Sequence, residues 1–283
     1  MPMSPRYPVY IPSKGRHDIA TTPAALERCG VPHWIVVEEA EADAYRAIYG
    51  SRLLVLPFSN LGQGSIPARN WIWEHAKAHG AARHWIIDDN IRCFYRLNHN
   101  RRIPVASAGI WCAAEDFTDR YENVAFSGFN NLAFANDREP SIAPFTLNTR
   151  IYSMTLINTA LPYRWRGLYN EDTDICLRAL KDAWCTVQFN AFLGDKATTM
   201  KMRGGNTDNV YNTGDHRRAF AESLREQHPD VVTVTWKFER WHHHVDYSPF
   251  KRNALRLREG VTPIATSNEY GMVLRRVADT DAA

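Results

Sequence analysis

The chain lacks any apolar run approaching the roughly 20 residues that a membrane helix needs. Its opening stretch, MPMSPRYPVYIPSKGR, has no apolar core of the signal-peptide kind, so the expected location is cytoplasmic. Cysteine is sparse and unpatterned. Cys29, Cys93, Cys112, Cys176 and Cys185 are odd in number and show no C-x-x-C spacing, which favours buried reduced thiols over a zinc site or a disulfide framework. No G-x-G-x-x-G follows the first apolar run, which counts against a dinucleotide cofactor. Internal repeats and low-complexity linkers are absent as well. A formal net charge of only +3 does not demand an anionic partner, although it permits one where basic residues cluster.

What is present is an ordinary globular composition, 45% hydrophobic and 23% charged over 283 residues. The expected organisation is a single α/β domain over residues 1–255, its nucleotide half about 1–100 and its acceptor half about 101–255. A loosely ordered tail, 256–283, follows. In the first half, PVYIPSKGR, HWIVVEE, RLLVLPF and HWIIDDN read as strands. TTPAALERCG, AEADAYRAIYG and SIPARNWIWEHAKAHG read as the helices between them, with proline in the first turn and glycine at the end of two of them. This alternation predicts a Rossmann-like, mostly parallel sheet with crossover helices. Beyond it, AAEDFTDRYENVAFSGF predicts a helix and a strand, PFTLNTRIYSMTLIN antiparallel strands, NEDTDICLRALKDAW a helix and TVQFNAFLGDK a strand.

Ligands of such sheets bind beyond the carboxyl ends of the strands. That directs attention to the loop Pro12, Ser13, Lys14 and Arg16, to Glu38 and Glu39, to Gln63 in GQGS, and to Asp88-Asp89-Asn90. Two adjacent carboxylates at a strand end repel unless a cation compensates them. A hard divalent ion bound to phosphate oxygens would do so; a solvated turn capping the next helix is the alternative. Arg69, one turn into its helix, would suit a diphosphate, or pair with a nearby acid. Glu171, Asp172 and Asp174 open a helix, where the macrodipole accounts for one or two acids. Three acids behind PYRWRGLYN suggest a general base, with Trp165 and Arg166 on the acceptor side. Late in the chain, RWHHHVDY offers a possible metal-ligating histidine or a structural turn. KFERWHHH and FKRNALRLR interleave bases with aromatics, as a DNA-contacting surface does, although a solvated basic helix would look the same.

In this order, PSKGR, VVEE, ARNW, IIDDN and YNEDTDICLRAL resemble GT-A glycosyltransferases of the family 2 type. LPFSNLGQGSIPARNWIWEHA, RHWIIDDNIRCFYRLN, YRWRGLYNEDTDICLRALKD and WHHHVDYSPF look like the TET-associated glycosyltransferases of bacteriophages. The resemblance implies a GT-A fold with a small antiparallel acceptor-side sheet. It also implies inverting transfer from a UDP-sugar, with Mn2+ or Mg2+, to 5-hydroxymethylcytosine in DNA prepared by a TET-type dioxygenase. For a phage-encoded chain the compartment is the host bacterial cytoplasm. By position, Asp88 would contact the nucleoside and Asp89 the metal. Asn90 stands where many relatives have a third Asp. Arg69 would hold the diphosphate, and Glu38 or Glu39 would lie near uracil or ribose. Asp172 would be the base, Glu171 would orient it, and His243 would complete the metal site. Lys251 and Arg252, with Trp165 and Arg166, are the acceptor or DNA candidates. The rival expectations are a glycosyltransferase for a polysaccharide or small molecule, a non-catalytic nucleic-acid-binding relative, and a nucleotidyltransferase.

Overall fold

The computed structural model describes residues 3–98, 101–135, 143–167, 169–197, 217–262 and 267–272. Four strands follow the expected alternation: β1 (Val9–Pro12), β2 (Trp34–Glu38), β3 (Leu53–Leu56) and β4 (Arg83–Ile87). Between them run α1 (Thr22–Arg28), α2 (Ala42–Tyr49) and α3 (Ile66–Ala78). They pair in parallel in the order β3-β2-β1-β4. Every residue of β4 is buried, as expected of a strand covered on both faces.

Six further strands extend the same sheet. They are β5 (Ile91–Asn98), β6 (Arg101–Pro104), β7 (Val124–Asn131), β8 (Phe145–Leu147), β9 (Met154–Asn158) and β10 (Cys185–Lys196). The order continues β4-β9-β7-β10-β5-β6, with β8 also on β10. Strand β9 is antiparallel to both β4 and β7, β10 is parallel to β7, and β5, β6 and β8 join through antiparallel pairs. The architecture is therefore mixed α/β around one large sheet. Its antiparallel strands are continuous with the parallel ones.

Side-chain alternation splits the core into two layers. Val9, Ile11, Trp85 and Ile87 face one side, against α1, α2 and α4 (Gly109–Asp119). Tyr10, Ile86 and Phe126 face the other, against Trp73 of α3 and Ile175 of α5 (Glu171–Lys181). Burial of each such side chain contributes about 1.5–3 kcal/mol. Gly128 on β7 has a specific cause: a Cβ there would lie 2.2 Å from the Met154 carbonyl oxygen, so only glycine lets β9 pass this closely.

The back of α5 packs with α6 (Arg217–Gln227) through Leu177, Leu180 and Leu224. After α6 comes a separate antiparallel hairpin, β11 (Val232–Lys237) and β12 (Arg240–Val245). RWHHHV is thus a strand. Inner positions Trp241, His243 and Val245 alternate with outer His242 and His244. FKRNALRLR is a short 3-10 turn, Ser248–Arg252, followed by extended chain, in place of a basic helix. From there Arg256 and Arg258 bond back to the end of α4, and Leu257 bridges Tyr121. Among the described residues no helix is long and apolar enough to cross a membrane.

Candidate active site

The acidic turn after β4 meets three cations. Asp88 Oδ2 accepts from Lys196 Nζ at 2.8 Å, and its Oδ1 accepts from Arg69 Nη2 at 3.2 Å. Asp89 Oδ1 accepts from Arg16 Nη1 at 2.6 Å, and its Oδ2 from Ser13 Oγ at 2.6 Å. Backbone geometry fixes the turn. Thr21 and Thr22 donate their N–H groups to the Asp89 carbonyl, Thr22 Oγ1 donates to the Asp88 carbonyl, and Asp88 N–H donates to that of Ser153. Lys196 and Arg69 outweigh burial and hold the Asp88 carboxyl below its usual range, while burial pushes Asp89 up despite Arg16.

Arg69 joins this turn to the opening of α5. Its Nη1 donates to Asp172 Oδ1 at 2.6 Å and its Nη2 stands 4.0 Å from Glu171. The side chain is only 7% exposed and lies over the buried Trp165 ring at 4.7 Å. Asn70 in turn pins Trp165, donating to its carbonyl and accepting from its N–H. Burial alone would lower the Arg69 pKa, but Asp172, Glu171 and Asp88 hold it above its ordinary value. Burial, with the Asp172 charge beside it, raises Glu171 to about 7, against the pull of Arg69. Asp172 Oδ2 has no hydrogen-bond partner among the described residues.

The third acid of the helix belongs elsewhere. Asp174 lies 200° around the helix from Asp172, as two residues dictate. It is buried among Arg166, Arg178 and His228, at 2.9, 3.0 and 2.9 Å. Arg166 is therefore its ion-pair partner, with half its side chain still exposed. Lys251 and Arg252 are exposed on the turn beyond the hairpin.

On the other flank, a cleft is lined by Lys14, Glu38, Phe58, Asn60, Gly62 and Ala68. Lys14 Nζ donates to Glu38 Oε2 at 2.7 Å and to Asn60 Oδ1 at 2.9 Å, so the β1 and β2 loops close together. Gln63 is exposed beside this cleft, and Glu39 starts a 3-10 turn behind it. Pro12 ends β1, and Ser13 is buried, bonded to Tyr45 as well as Asp89.

The carboxylates as they stand do not fit a divalent ion. All four oxygens of Asp88 and Asp89 already accept from Lys196, Arg69, Arg16 or Ser13. Among the described residues no three His, Cys, Asp or Glu side chains converge to hold one. His243 lies on β12, and burial, with Arg150 nearby, lowers it to about 4. Lys196 is the residue that sequence reasoning missed. A single lysine ending FLGDK carries no motif, and only the antiparallel pairing of β10 with β5, which sets Lys196 opposite Ile91, brings it beside the acidic turn. Ser153, whose carbonyl accepts from Asp88 N–H and whose Oγ accepts from Lys196, was missed too, because only the pairing of β9 with β4 brings it there.

The family model described as TET-Associated Glycosyltransferase matches residues 7–205, well over half of the chain, and the chain belongs to that family. The matched stretch spans both acidic turns, Arg69 and Lys196. Comparison with curated proteins returns no match.

Proposed function

We propose that this member of the TET-associated glycosyltransferase family moves a sugar from a UDP-sugar to the hydroxymethyl group of 5-hydroxymethylcytosine in DNA, with inversion, on a GT-A-type fold. The TET-type dioxygenase that makes that base would act before it. The observation that carries the reading is the Arg69 link between two acidic clusters beyond the carboxyl end of β4, Asp88 on one side and Asp172 with Glu171 on the other. Such a site offers a cationic place for a leaving diphosphate and, a few ångströms away, a carboxylate to take a proton.

The cleft around Lys14, Glu38 and Phe58 receives the nucleoside, Phe58 supplying an apolar face and Glu38 an acceptor. The hydroxymethyl oxygen attacks the anomeric carbon as its bond to the diphosphate breaks, and UDP departs with the electron pair. The hydroxyl proton goes to Asp172, whose Oδ2 accepts from none of the described residues, and Glu171 beside it increases the pull on that proton. Lys196 and Arg69 lie where positive charge can meet the departing diphosphate.

Incubating hydroxymethylcytosine DNA with a panel of UDP-sugars, read by nucleoside mass spectrometry, tests the reading. The expected result is a hexose-sized mass increase with release of UDP. Release of pyrophosphate would mark a nucleotidyltransferase, and transfer only to a polysaccharide or small molecule would replace the acceptor.

A further inference from the structure

The hairpin of β11 and β12 ends in an unusual way. Its two-residue turn is Phe238-Glu239, with φ of 51° and 57°. Turns with positive φ at both positions favour Asn-Gly or Asp-Gly, and a bulky aromatic there is strained. Nothing buries that aromatic in return: Phe238 is 86% exposed and Trp236, two residues before it, 56%. Strain held at a tip that leaves its largest apolar group in water points to a contact outside the chain.

The surroundings identify the contact's chemistry. Trp236 packs edge-on against Trp241, at 5.3 Å between centroids, and Arg218 lies over Trp241 at 4.8 Å. The outward face of the hairpin carries Thr233, Thr235, Lys237, Arg240, His242 and His244, and the one acid at the tip is Glu239. The exposed Phe238 ring at a tip flanked by the cross-strand pair Lys237 and Arg240 suits a base next to phosphates.

The hairpin is joined to the opening of α5 through α6. Asn170, which precedes Glu171, donates to the Phe220 carbonyl of α6, the helix on which the hairpin packs. His243 of β12 is close enough to Arg150 to feel its charge, and Arg150 lies over Tyr152 at 5.0 Å. Tyr152 adjoins Ser153, whose Oγ accepts from Lys196.

We propose that the tip is a wedge that opens duplex DNA, Phe238 entering the base stack while Lys237 and Arg240 hold the flanking phosphates. The proposal rests on the DNA-acceptor reading above. A base must leave the stack before its hydroxymethyl group can reach Asp172, and an inserted ring fills the gap it leaves.

The test variant is Phe238→Asn, which removes the ring while favouring the positive-φ turn, so folding is preserved and an unchanged melting temperature checks it. Transfer to hydroxymethylcytosine is measured on a duplex and on the same strand alone. A 2-aminopurine beside the target in a parallel duplex reports unstacking. The expected result is a loss of at least tenfold in kcat/KM on duplex, a change under twofold on the single strand, and loss of the 2-aminopurine fluorescence rise. Equal losses on both substrates, or none, overturn the wedge and leave the acceptor reading intact. A wild-type enzyme that modifies neither substrate overturns the acceptor reading and the wedge with it. Wild-type dimers in sedimentation that Phe238→Asn dissolves would assign the tip to a second copy of the chain and overturn the wedge too.

Discussion

Asp172 and Glu171 are neighbours in sequence but sit in different electrostatic surroundings. Asp172 is tied to Arg69 through one oxygen, whereas burial and the adjacent charge raise Glu171 to about 7. Removing basicity at Asp172 with Asp172→Asn is expected to lower kcat by roughly 10²-fold or more, with UDP affinity nearly unchanged. Glu171→Gln is expected to cost about tenfold and to erase the rise of turnover with pH near 7, because the ionised Glu171 strengthens its neighbour only above that value. Pre-steady-state rates over pH 5.5–8.5 check both. A helix-capping role would leave turnover normal, since Asn also caps well. Lys196 makes a second test. If it supplies charge at the acidic turn, Lys196→Met should weaken UDP binding by about tenfold or more. UDP affinity of the unaltered enzyme in excess EDTA should then stay within about threefold of that in Mn2+. Calorimetry decides, and a strict Mn2+ requirement would sink this account of Lys196. The two acidic turns were legible because paired acids at a strand end and at a helix start are anomalies in sequence. Arg16 and Arg69 were legible beside them, but Lys196 was not, since it is 108 residues beyond its partner Asp88 and only the sheet unites them.

At the level of elements, the alternating strands and helices up to β4 were readable because each carries its own period and its own proline or glycine punctuation. The hairpin was harder to see. VTVTWK and RWHHHV have period-2 alternation, but the turn between them lacks the glycine or asparagine that normally marks a hairpin. Equally hidden was the parallel pairing of β10 with β7, which depends on a long-range contact that no local pattern encodes. Glycine separates packing from turn chemistry here. Gly128→Ala would set a Cβ 2.2 Å from the Met154 carbonyl oxygen and 2.5 Å from Ile151 Cγ2, so backbone must move and β9 must part from β7. A loss of about 3 kcal/mol is expected, at the upper end of overpacking effects. Gly80→Ala, with φ of 70° but nothing within 4 Å of the new Cβ, should cost only about 1 kcal/mol. Denaturant midpoints of the two variants separate the causes, and equal losses would mean that β9 can shift to make room.

Across the whole molecule the titratable groups that matter for stability are buried ones, which a net charge of +3 conceals. Glu115 of α4 is buried beneath the amino-terminal strand, accepting from Trp85 Nε1 at 2.8 Å and from the Arg6 N–H at 2.7 Å. Burial raises it to about 7 in spite of those bonds, and Glu171 stands at about 7 as well. For an acid whose folded pKa is raised, the folded state holds the proton more tightly than the unfolded chain. Its contribution is greatest below the unfolded value near 4.5 and is lost as pH rises toward 7. The opposite holds for Asp88 and Asp174, which are held below their usual range and withdraw support only as pH falls through the acid region. The two glutamates therefore impose a decline from pH 5 toward pH 8, by about 3 kcal/mol at most for each, which His84 and His243, held neutral by burial, oppose up to about pH 6.5. Glu115→Gln turns an acceptor into a donor facing either Trp85 or Arg6, so it should lower stability at every pH. It should nevertheless remove about half of the decline between pH 5 and pH 8, because the group can no longer ionise. Urea melts at those two values, with Glu171→Gln in parallel, assign the slope. An unaltered slope in both variants would place the titration on other groups.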